Sequence, residues 1–191
     1  VADMSSNFLS RPVDVSRFGL IYAGAQKNIG PAGLVLVIIR EDLVQEPIAG
    51  TPTLFSYQTH AQHDSMYNTP PTYAIYMMGL VLEWLKKQGG LSAIEALNIS
   101  KAKLLYDLID TSHLYRCPVA QQDRSRMNVP FTFRQSALEG EFLKQAKARG
   151  FVQLKGHRSV GGMRASIYNA MPYEGVKALA AFMEEFENQY G

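Results

Sequence analysis

A single lysine, Lys27, lies in a run of small residues, YAGAQKNIGPAG at 22–33. The apolar runs at 19–23 and 34–39 predict two buried strands, and the glycines and proline between them predict a tight turn. A lysine in such a turn is expected to be partly desolvated, and desolvation favours the neutral, nucleophilic amine over the ammonium form. The chemistry indicated is Schiff-base formation with a carbonyl cofactor. The alternative is a lysine in a polar hairpin loop.

A carboxylate, Asp3, stands where the run at 1–3 predicts the end of another strand and the start of a polar turn. An Asp at the carboxyl end of one strand and a Lys after the next strand can face the same crevice of an α/β sheet. Pyridoxal 5'-phosphate requires this pair, because the lysine holds its aldehyde and the carboxylate pairs with its protonated ring nitrogen. Alone, Asp3 is more typical of a strand-end cap; together with Lys27 it predicts a cofactor site.

Five motifs along the chain resemble one known family. They are DMSS at 3–6, YAGAQKNIGPAG at 22–33, YNTPPT at 67–72, RSRMNV at 124–129 and GHRSVGGMRASIYNA at 156–170. In these motifs the sequence is similar to the phosphoserine aminotransferases, which are class V aminotransferases of pyridoxal-phosphate fold type I. The resemblance extends from the first residue to the C-terminus.

The resemblance implies an α/β fold, namely the C-terminal part of a fold type I aminotransferase. It would contain a remnant of the mixed sheet of the large domain and a small C-terminal α+β domain. We place the C-terminal part of the cofactor-binding large domain at 1–88 and the small domain at 89–191. Family members are nearly twice as long, so we expect an N-terminally truncated chain whose partner is the missing N-terminal part of the same enzyme.

The resemblance also implies roles for residues of a cofactor site. Lys27 would hold pyridoxal 5'-phosphate covalently and then act as the acid and base of the reaction, and Asp3 would pair with the ring nitrogen. Gln26 would donate to the cofactor phosphate. Asn68 and Thr69 would donate to the phosphate held by a neighbouring subunit, which implies a homodimer with shared active sites.

Substrate contacts are implied further along the chain. Arg164 would bind the α-carboxylate of the amino acid, since a guanidinium can grip a carboxylate with two parallel hydrogen bonds. His157 and Arg158 would bind the distal phosphate or carboxylate; the alternative for this pair is a solvated loop. For Arg124 and Arg126 we expect structural ion pairs.

The implied reaction is transamination between L-glutamate and 3-phosphohydroxypyruvate, which gives phosphoserine and 2-oxoglutarate in serine biosynthesis. A role in pyridoxine biosynthesis, on a related phosphorylated 2-oxo acid, is a further expectation. Two alternatives remain. The chain could belong to another class V aminotransferase, or it could be a non-catalytic fragment, or half of a nicked enzyme, with only a scaffold or dimerisation role.

Charge and hydropathy argue against other classes of partner. The 191-residue chain carries a net charge of +2, although 116–164 contains ten Lys and Arg against three Asp and Glu. No aromatic-interleaved basic run accompanies this stretch, so we expect no nucleic acid and attribute the excess to anionic substrates. No apolar run has the length of a membrane span, so we expect no membrane association.

Cysteine and histidine usage adds two expectations. Cys117 is the only cysteine, so no internal disulfide can form and a reducing, cytoplasmic location is expected. The spacing of His60, His63 and Asp64 could hold a metal ion, but no cysteine or further histidine lies nearby, and we expect no metal site.

Periodicity and turn residues place the remaining elements. We expect helices at 72–88, 92–109, 136–149 and 172–189, and strands at 127–134, 151–154 and 162–168. Capping boxes starting at Ser92 and Ser136 are expected to open two of these helices. The stretch 45–71 is expected to be a long loop.

Overall fold

The chain divides into two compact units in the computed structural model, which describes residues 1–157 and 161–191. The first unit is Val1–Leu91 and the second is Ser92–Gly191. The sequence placed this division after residue 88. Each unit contains both strands and helices. The chain is therefore an α/β protein, as the sequence predicted.

The first unit contains a three-stranded mixed sheet. Its strands are β1 (Ala2–Asp3), β2 (Leu20–Gly24) and β3 (Val35–Ile39), in that spatial order. β1 and β2 are parallel, and β2 and β3 are antiparallel. Parallel pairing aligns Asp3 with Tyr22, so the end of β1 lies beside the end of β2.

The exposure of β3 corrects one expectation. The apolar run at 34–39 does form a strand, but it is not a buried one: Val35 is 60% exposed, Val37 40% and Ile38 38%. Continuous apolar sequence is typical of a strand covered on both faces. In this chain β3 is the edge strand of a small sheet, and the first unit leaves much of its apolar surface uncovered.

Two helices complete the first unit. α2 (Thr72–Lys87) lies where periodicity placed it, but the stretch 45–71 is not a continuous loop, because α1 (Tyr57–Gln62) falls inside it. The Ser56 hydroxyl caps α1 by accepting the Thr59 N–H at 3.4 Å. A six-residue helix is too short to show a periodic apolar pattern, so periodicity could not predict it.

The second unit is an α+β module with an antiparallel sheet. Its elements are α3 (Gly90–Thr111), β4 (Tyr115–Arg116), β5 (Asn128–Phe133), α4 (Glu139–Ala148), β6 (Met163–Ser166) and α5 (Tyr173–Tyr190). The strand order is β4-β5-β6. The helix bounds agree with the expected ones to within about three residues at most ends.

Both expected capping boxes are wrong. Ser92 lies inside α3, which begins two residues earlier at Gly90. The Glu95 carboxylate accepts a bond from Arg126 at 2.8 Å and takes part in an ion pair. Ser136 starts a short 3-10 turn without a side-chain cap, and α4 begins only at Glu139.

The expected strand at 151–154 is also wrong. After α4, Gly150 has φ +86° and forms a helix-terminating motif in which Phe151 N–H donates to the Ala146 carbonyl at 2.9 Å. Gln153 then adopts φ +61°, which interrupts an extended course. What remains of the pairing is a bridge from Lys155 to β6 and a bond from Arg164 N–H to the Leu154 carbonyl at 2.7 Å.

Aromatic side chains form the core of the second unit. Phe142 on α4 is fully buried, and five other rings lie within 5.0–6.2 Å of its ring centroid. The surrounding rings are those of Tyr115, Phe131, Phe133, Phe182 and Phe186. They come from β4, β5 and α5, so one side chain holds strands and helices together.

Replacing Phe142 by Ala is therefore expected to lower the free energy of unfolding by about 3–5 kcal/mol, since it removes buried apolar surface and leaves a cavity. Urea unfolding followed by circular dichroism measures the change. Val152→Ala is the control, because this side chain is 67% exposed and its loss is expected to cost about 0.5 kcal/mol or less. A Phe142→Ala loss no larger than that of the control would contradict this account of the core.

A buried lysine joins α3 to the segment that follows β6. Lys101 is fully buried, and its ammonium donates to the carbonyls of Ile167, Tyr168 and Met171 at 3.2, 2.8 and 3.1 Å. Three carbonyl oxygens satisfy the three N–H donors of one ammonium group. This lysine thereby fixes the course of the chain between β6 and α5.

Lys101 is expected to make stability depend on pH. Burial away from water lowers its pKa from 10.5 to about 8, so between these values the unfolded chain binds more protons than the folded chain. The Lys101 contribution to the free energy of unfolding therefore rises with pH across this window. In Lys101→Met we expect the free energy of unfolding to lack this increase with pH, whether the substitution makes the protein more or less stable.

Urea unfolding at a series of pH values from 8 to just below 10 measures the slope. The upper limit matters because burial raises the pKa of the Tyr106 and Tyr115 phenols above their ordinary value of 10. Stability from these phenols is lost at higher pH, in the opposite direction. Equal pH slopes for the original protein and Lys101→Met would show that Lys101 does not titrate as described.

Candidate active site

A fixed carboxylate stands at the end of β1. Asp3 Oδ1 accepts from the Ser5 hydroxyl at 2.6 Å and from the Ser5 backbone N–H at 2.9 Å. These two donors, and more weakly the Tyr22 phenol and Lys27, hold the pKa of Asp3 below its usual value. The carboxylate in turn raises the pKa of the Tyr22 phenol. Asp3 is therefore an anion at neutral pH.

The Ser5 hydroxyl also connects Asp3 to β2. It accepts a hydrogen bond from the N–H of Gly24, the last residue of β2, at 3.0 Å. Gln26 folds back over this glycine: a Cβ at position 24 would lie 2.8 Å from Gln26 Oε1. This close approach places the Gln26 amide beside the end of β2.

Lys27 lies in the turn that follows β2. The turn is closed by the Ala25 carbonyl, which accepts from Ile29 N–H at 3.1 Å and Gly30 N–H at 2.8 Å. Ala25 and Ile29 are buried, whereas Lys27 is exposed and its amine donates to Ser6 Oγ at 2.8 Å. The expected desolvation of Lys27 is therefore wrong for this chain, because the turn directs the side chain outward.

Three of the proposed cofactor residues are thus brought together in the first unit. Asp3, Gln26 and Lys27 surround the adjacent ends of β1 and β2, and consecutive serines contact two of them. Ser5 holds the carboxylate and Ser6 holds the amine. The arrangement offers an anion, a primary amine and an amide, all exposed, at one edge of the sheet.

Asn68 and Thr69 lie exposed ahead of α2. Neither residue caps that helix, because the residue at the cap position is Pro71 and no side chain caps the helix there. The Asn68 amide donates to the Thr69 carbonyl at 3.2 Å. Both side chains face solvent in this chain, and their assignment to a neighbouring subunit's site stays a prediction.

In the second unit, Arg164 is half-buried on β6 and stands opposite Pro130 of β5. The Arg164 backbone N–H donates to Leu154 and not to β5, so Pro130 and Arg164 form a pair without hydrogen bonds between them. Pro130, which has no N–H, therefore leaves no bond to β6 unmade. Its side-chain Nε is buried, and among the described residues this atom has no hydrogen-bond partner. A buried guanidinium nitrogen without a partner is the donor that a bound carboxylate would satisfy.

His157 is exposed at the start of the GHRSVGG motif. Its carbonyl accepts from Gly161 N–H at 2.8 Å, and Gly156 N–H donates to the Gly162 carbonyl at 2.7 Å. A Cβ at position 156 would lie only 2.0 Å from the Gly161 oxygen, so the sequence needs glycine there. Arg158, the other residue assigned to the distal substrate group, lies outside the described residues.

The other two arginines considered form ion pairs, as expected. Arg124 makes two parallel bonds to Asp110 at 2.6 and 2.7 Å, and its guanidinium lies 4.7 Å from the centroid of the Tyr106 ring. Arg126 pairs with Glu95 at 2.8 Å. Both guanidinium groups are bound to carboxylates of this chain. Arg164 differs from them, because its Nε has no partner among the described residues.

Sequence reasoning missed the two serines beside the carboxylate and the amine. One signal was available: Asp-x-Ser recurs at Asp14 and Ser16, where the Ser16 hydroxyl donates to Asp14 Oδ1 at 2.6 Å. Asp and Ser two residues apart commonly form such a local turn. The bond from the Gly24 N–H to the Ser5 hydroxyl had no signal in the sequence, because it joins residues 19 positions apart.

Two searches of the described part of the chain gave negative findings. Residues 1–157 and 161–191 contain no group of three or more His, Cys, Asp and Glu side chains arranged to hold a metal ion. None of the helices described there combines the length and apolar character that crossing a bilayer requires.

Comparison with known proteins places these residues in context. The family model of aminotransferase class V matches residues 1–179. The phosphoserine aminotransferase of Nitrosomonas europaea is 73% identical over 191 residues, which cover 100% of this chain and 52% of that protein. The chain thus spans about half the length of the curated relatives it matches.

Solved structures of phosphoserine aminotransferases have the same fold as this chain. The phosphoserine aminotransferase from Bacillus circulans subsp. alkalophilus superposes with a TM-score of 0.95 at 53% identity, covering 99% of this chain and 53% of that one. The PLP-bound enzyme from Trichomonas vaginalis superposes with a TM-score of 0.90 at 43% identity, covering 95% and 52%.

Proposed function

This chain belongs to the class V aminotransferase family, and we propose that it supplies the catalytic lysine, the ring-pairing carboxylate and the substrate-binding arginine of a phosphoserine aminotransferase. The observation that carries the proposal is the Asp3–Lys27 pair. An ionised carboxylate and a primary amine lie at the ends of adjacent strands, each held by one of two consecutive serines.

The residues present fit pyridoxal 5'-phosphate. When bound, the cofactor supplies a protonated ring that accepts electrons from the substrate α-carbon. Asp3, an anion at neutral pH, is suited to keep the ring nitrogen protonated. Gln26 donates an amide N–H toward a phosphate without adding charge. The Lys27 amine would hold the cofactor aldehyde, and as a free amine it could take up a proton from the substrate α-carbon.

The proposed substrates are L-glutamate and 3-phosphohydroxypyruvate, with 2-oxoglutarate and phosphoserine as products. Arg164 supports this choice, since its buried Nε lacks a partner among the described residues and can bind the α-carboxylate. His157 and Arg158 are proposed to bind the distal phosphate or carboxylate. Participation in serine biosynthesis, and in pyridoxine biosynthesis through a second phosphorylated 2-oxo acid, forms part of the proposal, as does a cytoplasmic location.

The active form is proposed to be a homodimer with shared sites. Asn68 and Thr69 are exposed and do not cap α2. We propose that the second amide N–H of Asn68 and the Thr69 hydroxyl donate to the cofactor phosphate of a neighbouring subunit. Exposed apolar and aromatic side chains flank them in the sequence: Met66, Tyr67, Tyr73, Ile75 and Tyr76. Aromatic and methionine side chains are enriched in protein interfaces.

A second candidate is that this chain alone is inactive and acts only with the remainder of the enzyme. The exposure of Lys27 and of the apolar side chains on β3 favours it, because an open lysine is not desolvated and an uncovered apolar strand calls for a partner. Another class V aminotransferase activity is a further alternative, which assays with other amino donors and oxo-acid acceptors would reveal.

The first test is covalent labelling at Lys27. With added pyridoxal phosphate we expect an absorption band near the visible edge, and borohydride reduction followed by peptide mapping should place the label on Lys27. Lys27→Ala should abolish the band, whereas Lys103→Ala, a change at an exposed surface lysine, should leave it intact.

The labelling is carried out on this chain alone and on the intact protein. Labelling confined to the intact protein supports the second candidate for the isolated chain. Label scattered over surface lysines in both would refute the proposed site.

Arg164 provides a test of substrate binding. Arg164→Gln is expected to lower kcat/KM for glutamate by about 10- to 100-fold, the value of one or two charge-assisted hydrogen bonds. Arg149→Gln is the matched control, because that arginine pairs with Glu185 on the surface of the same unit. An unchanged kcat/KM for Arg164→Gln, or an equal loss in the control, would remove Arg164 from the substrate site.

A further inference from the structure

We propose that Ser5 is a positioning residue of the cofactor site: its hydroxyl holds the Asp3 carboxylate in the orientation that pairs with the cofactor ring nitrogen, and ties that carboxylate to the strand that leads to Lys27. This inference rests on the proposed function and adds a residue to it. Ser5 itself is not expected to touch the substrate or the reacting atoms.

The direction of the Ser5 hydroxyl proton follows from its two partners. The Gly24 N–H can only donate, so at 3.0 Å the Ser5 oxygen is the acceptor of that bond. The hydroxyl proton is then directed to Asp3 Oδ1, 2.6 Å away. One hydroxyl group therefore accepts a bond from β2 through one lone pair and donates its proton to the end of β1.

The Asp3 carboxylate is held from one side by this arrangement. Oδ1 accepts both the hydroxyl and the backbone N–H of Ser5. The Tyr22 phenol is the other side chain that hydrogen-bonds this carboxylate, and we propose that the protonated ring nitrogen pairs with Oδ2. A carboxylate that is anchored through one oxygen loses less freedom when a ligand binds the other.

The chain contains a second Asp-x-Ser turn with which Ser5 can be compared. Ser16 donates to Asp14 Oδ1 through its hydroxyl at 2.6 Å and its N–H at 3.1 Å, closing a 3-10 turn. Locally the two motifs match. The difference is the bond from Gly24 to Ser5, which spans 19 residues and joins the turn to β2. That added bond distinguishes a connection within the candidate site from a local cap.

Loss of the Ser5 hydroxyl has two expected effects. The carboxylate can rotate away from its present orientation, and the pKa of Asp3 rises, because the Ser5 hydroxyl is the strongest of the contacts that lower it. The rotation weakens the pairing with the ring nitrogen. The rise in the pKa leaves Asp3 ionised at neutral pH and reports separately that the hydroxyl acts on the carboxylate. The expected result is a dissociation constant for pyridoxal phosphate about tenfold larger, the value of one hydrogen bond to a charged group.

The test uses the intact protein and compares Ser5→Ala, Ser5→Thr, Ser16→Ala, Asp3→Asn and the double variant Ser5→Ala/Asp3→Asn. The dissociation constant of pyridoxal phosphate is measured by absorbance titration. The Asp3 carboxyl titration is followed without cofactor by carbon-13 NMR of labelled aspartate. Thr retains the hydroxyl, and Ser16→Ala removes the same type of local bond at the matched Asp-x-Ser turn.

We expect Ser5→Ala to weaken cofactor binding about tenfold and to raise the pKa of Asp3. Ser5→Thr should bind nearly as well as the original protein, and Ser16→Ala should leave both measurements unchanged. Because Ser5 acts through Asp3, Ser5→Ala should have no further effect on binding in the Asp3→Asn background.

Two results would overturn the inference. Equal weakening by Ser5→Ala in both backgrounds would mean that Ser5 acts by folding and not through Asp3. An unchanged Asp3 titration in Ser5→Ala would show that the hydroxyl does not govern the carboxylate. Failure of the proposed function is distinct: the original protein would then not bind the cofactor, or Asp3→Asn would bind it equally well, and both proposals would fall together.

Discussion

The parallel pairing of β1 with β2 is the constraint on which the candidate site depends. It aligns Asp3 with Tyr22 and is extended by a bond from Met4 N–H to the Tyr22 carbonyl at 2.8 Å. A shift of one residue would turn Asp3 to the opposite face of the sheet, because side chains alternate along a strand. A strand of two residues thus decides whether a carboxylate and an amine can share one ligand.

In the second unit, buried hydrogen bonds rather than strand pairing hold the segment that follows the candidate substrate-binding residue. It fixes the segment between β6 and α5 with buried polar contacts from α3: Lys101 holds three carbonyls, and the Asn98 amide donates to Asn169 Oδ1 at 2.9 Å. Buried polar groups tolerate few alternative arrangements, since each misplaced donor would lose its partner. Arg164 lies on β6, immediately before this fixed segment.

What the first unit leaves exposed agrees with the proposed function. Lys27 reaches outward, Asn68 and Thr69 do not cap their helix, and β3 presents apolar side chains to solvent. Exposed apolar side chains on a strand are unfavourable in water. In the proposed assembly this surface would be covered, and the exposed polar groups would bind the cofactor. Their exposure supports the proposal that the site is completed in a larger assembly.

The sequence alone determined the α/β class, the principal helices and the types of residue at the site. Apolar periodicity predicted α2 and α5 closely, and the Gly-rich motif singled out Lys27, because these signals reside in neighbouring residues. The short helix α1 left no periodic pattern, and the expected capping boxes failed because α3 begins before Ser92 and no side chain caps the 3-10 turn at Ser136.

Only the tertiary structure decided how these residues are held. The bond from Gly24 to Ser5, the contact of Ser6 with Lys27 and the burial of Lys101 against carbonyls all join residues far apart in the chain. Local sequence carries no trace of such partners, since the same residue types form solvated turns elsewhere. Residue type therefore fixed which chemistry is available, and strand pairing fixed which groups meet to perform it.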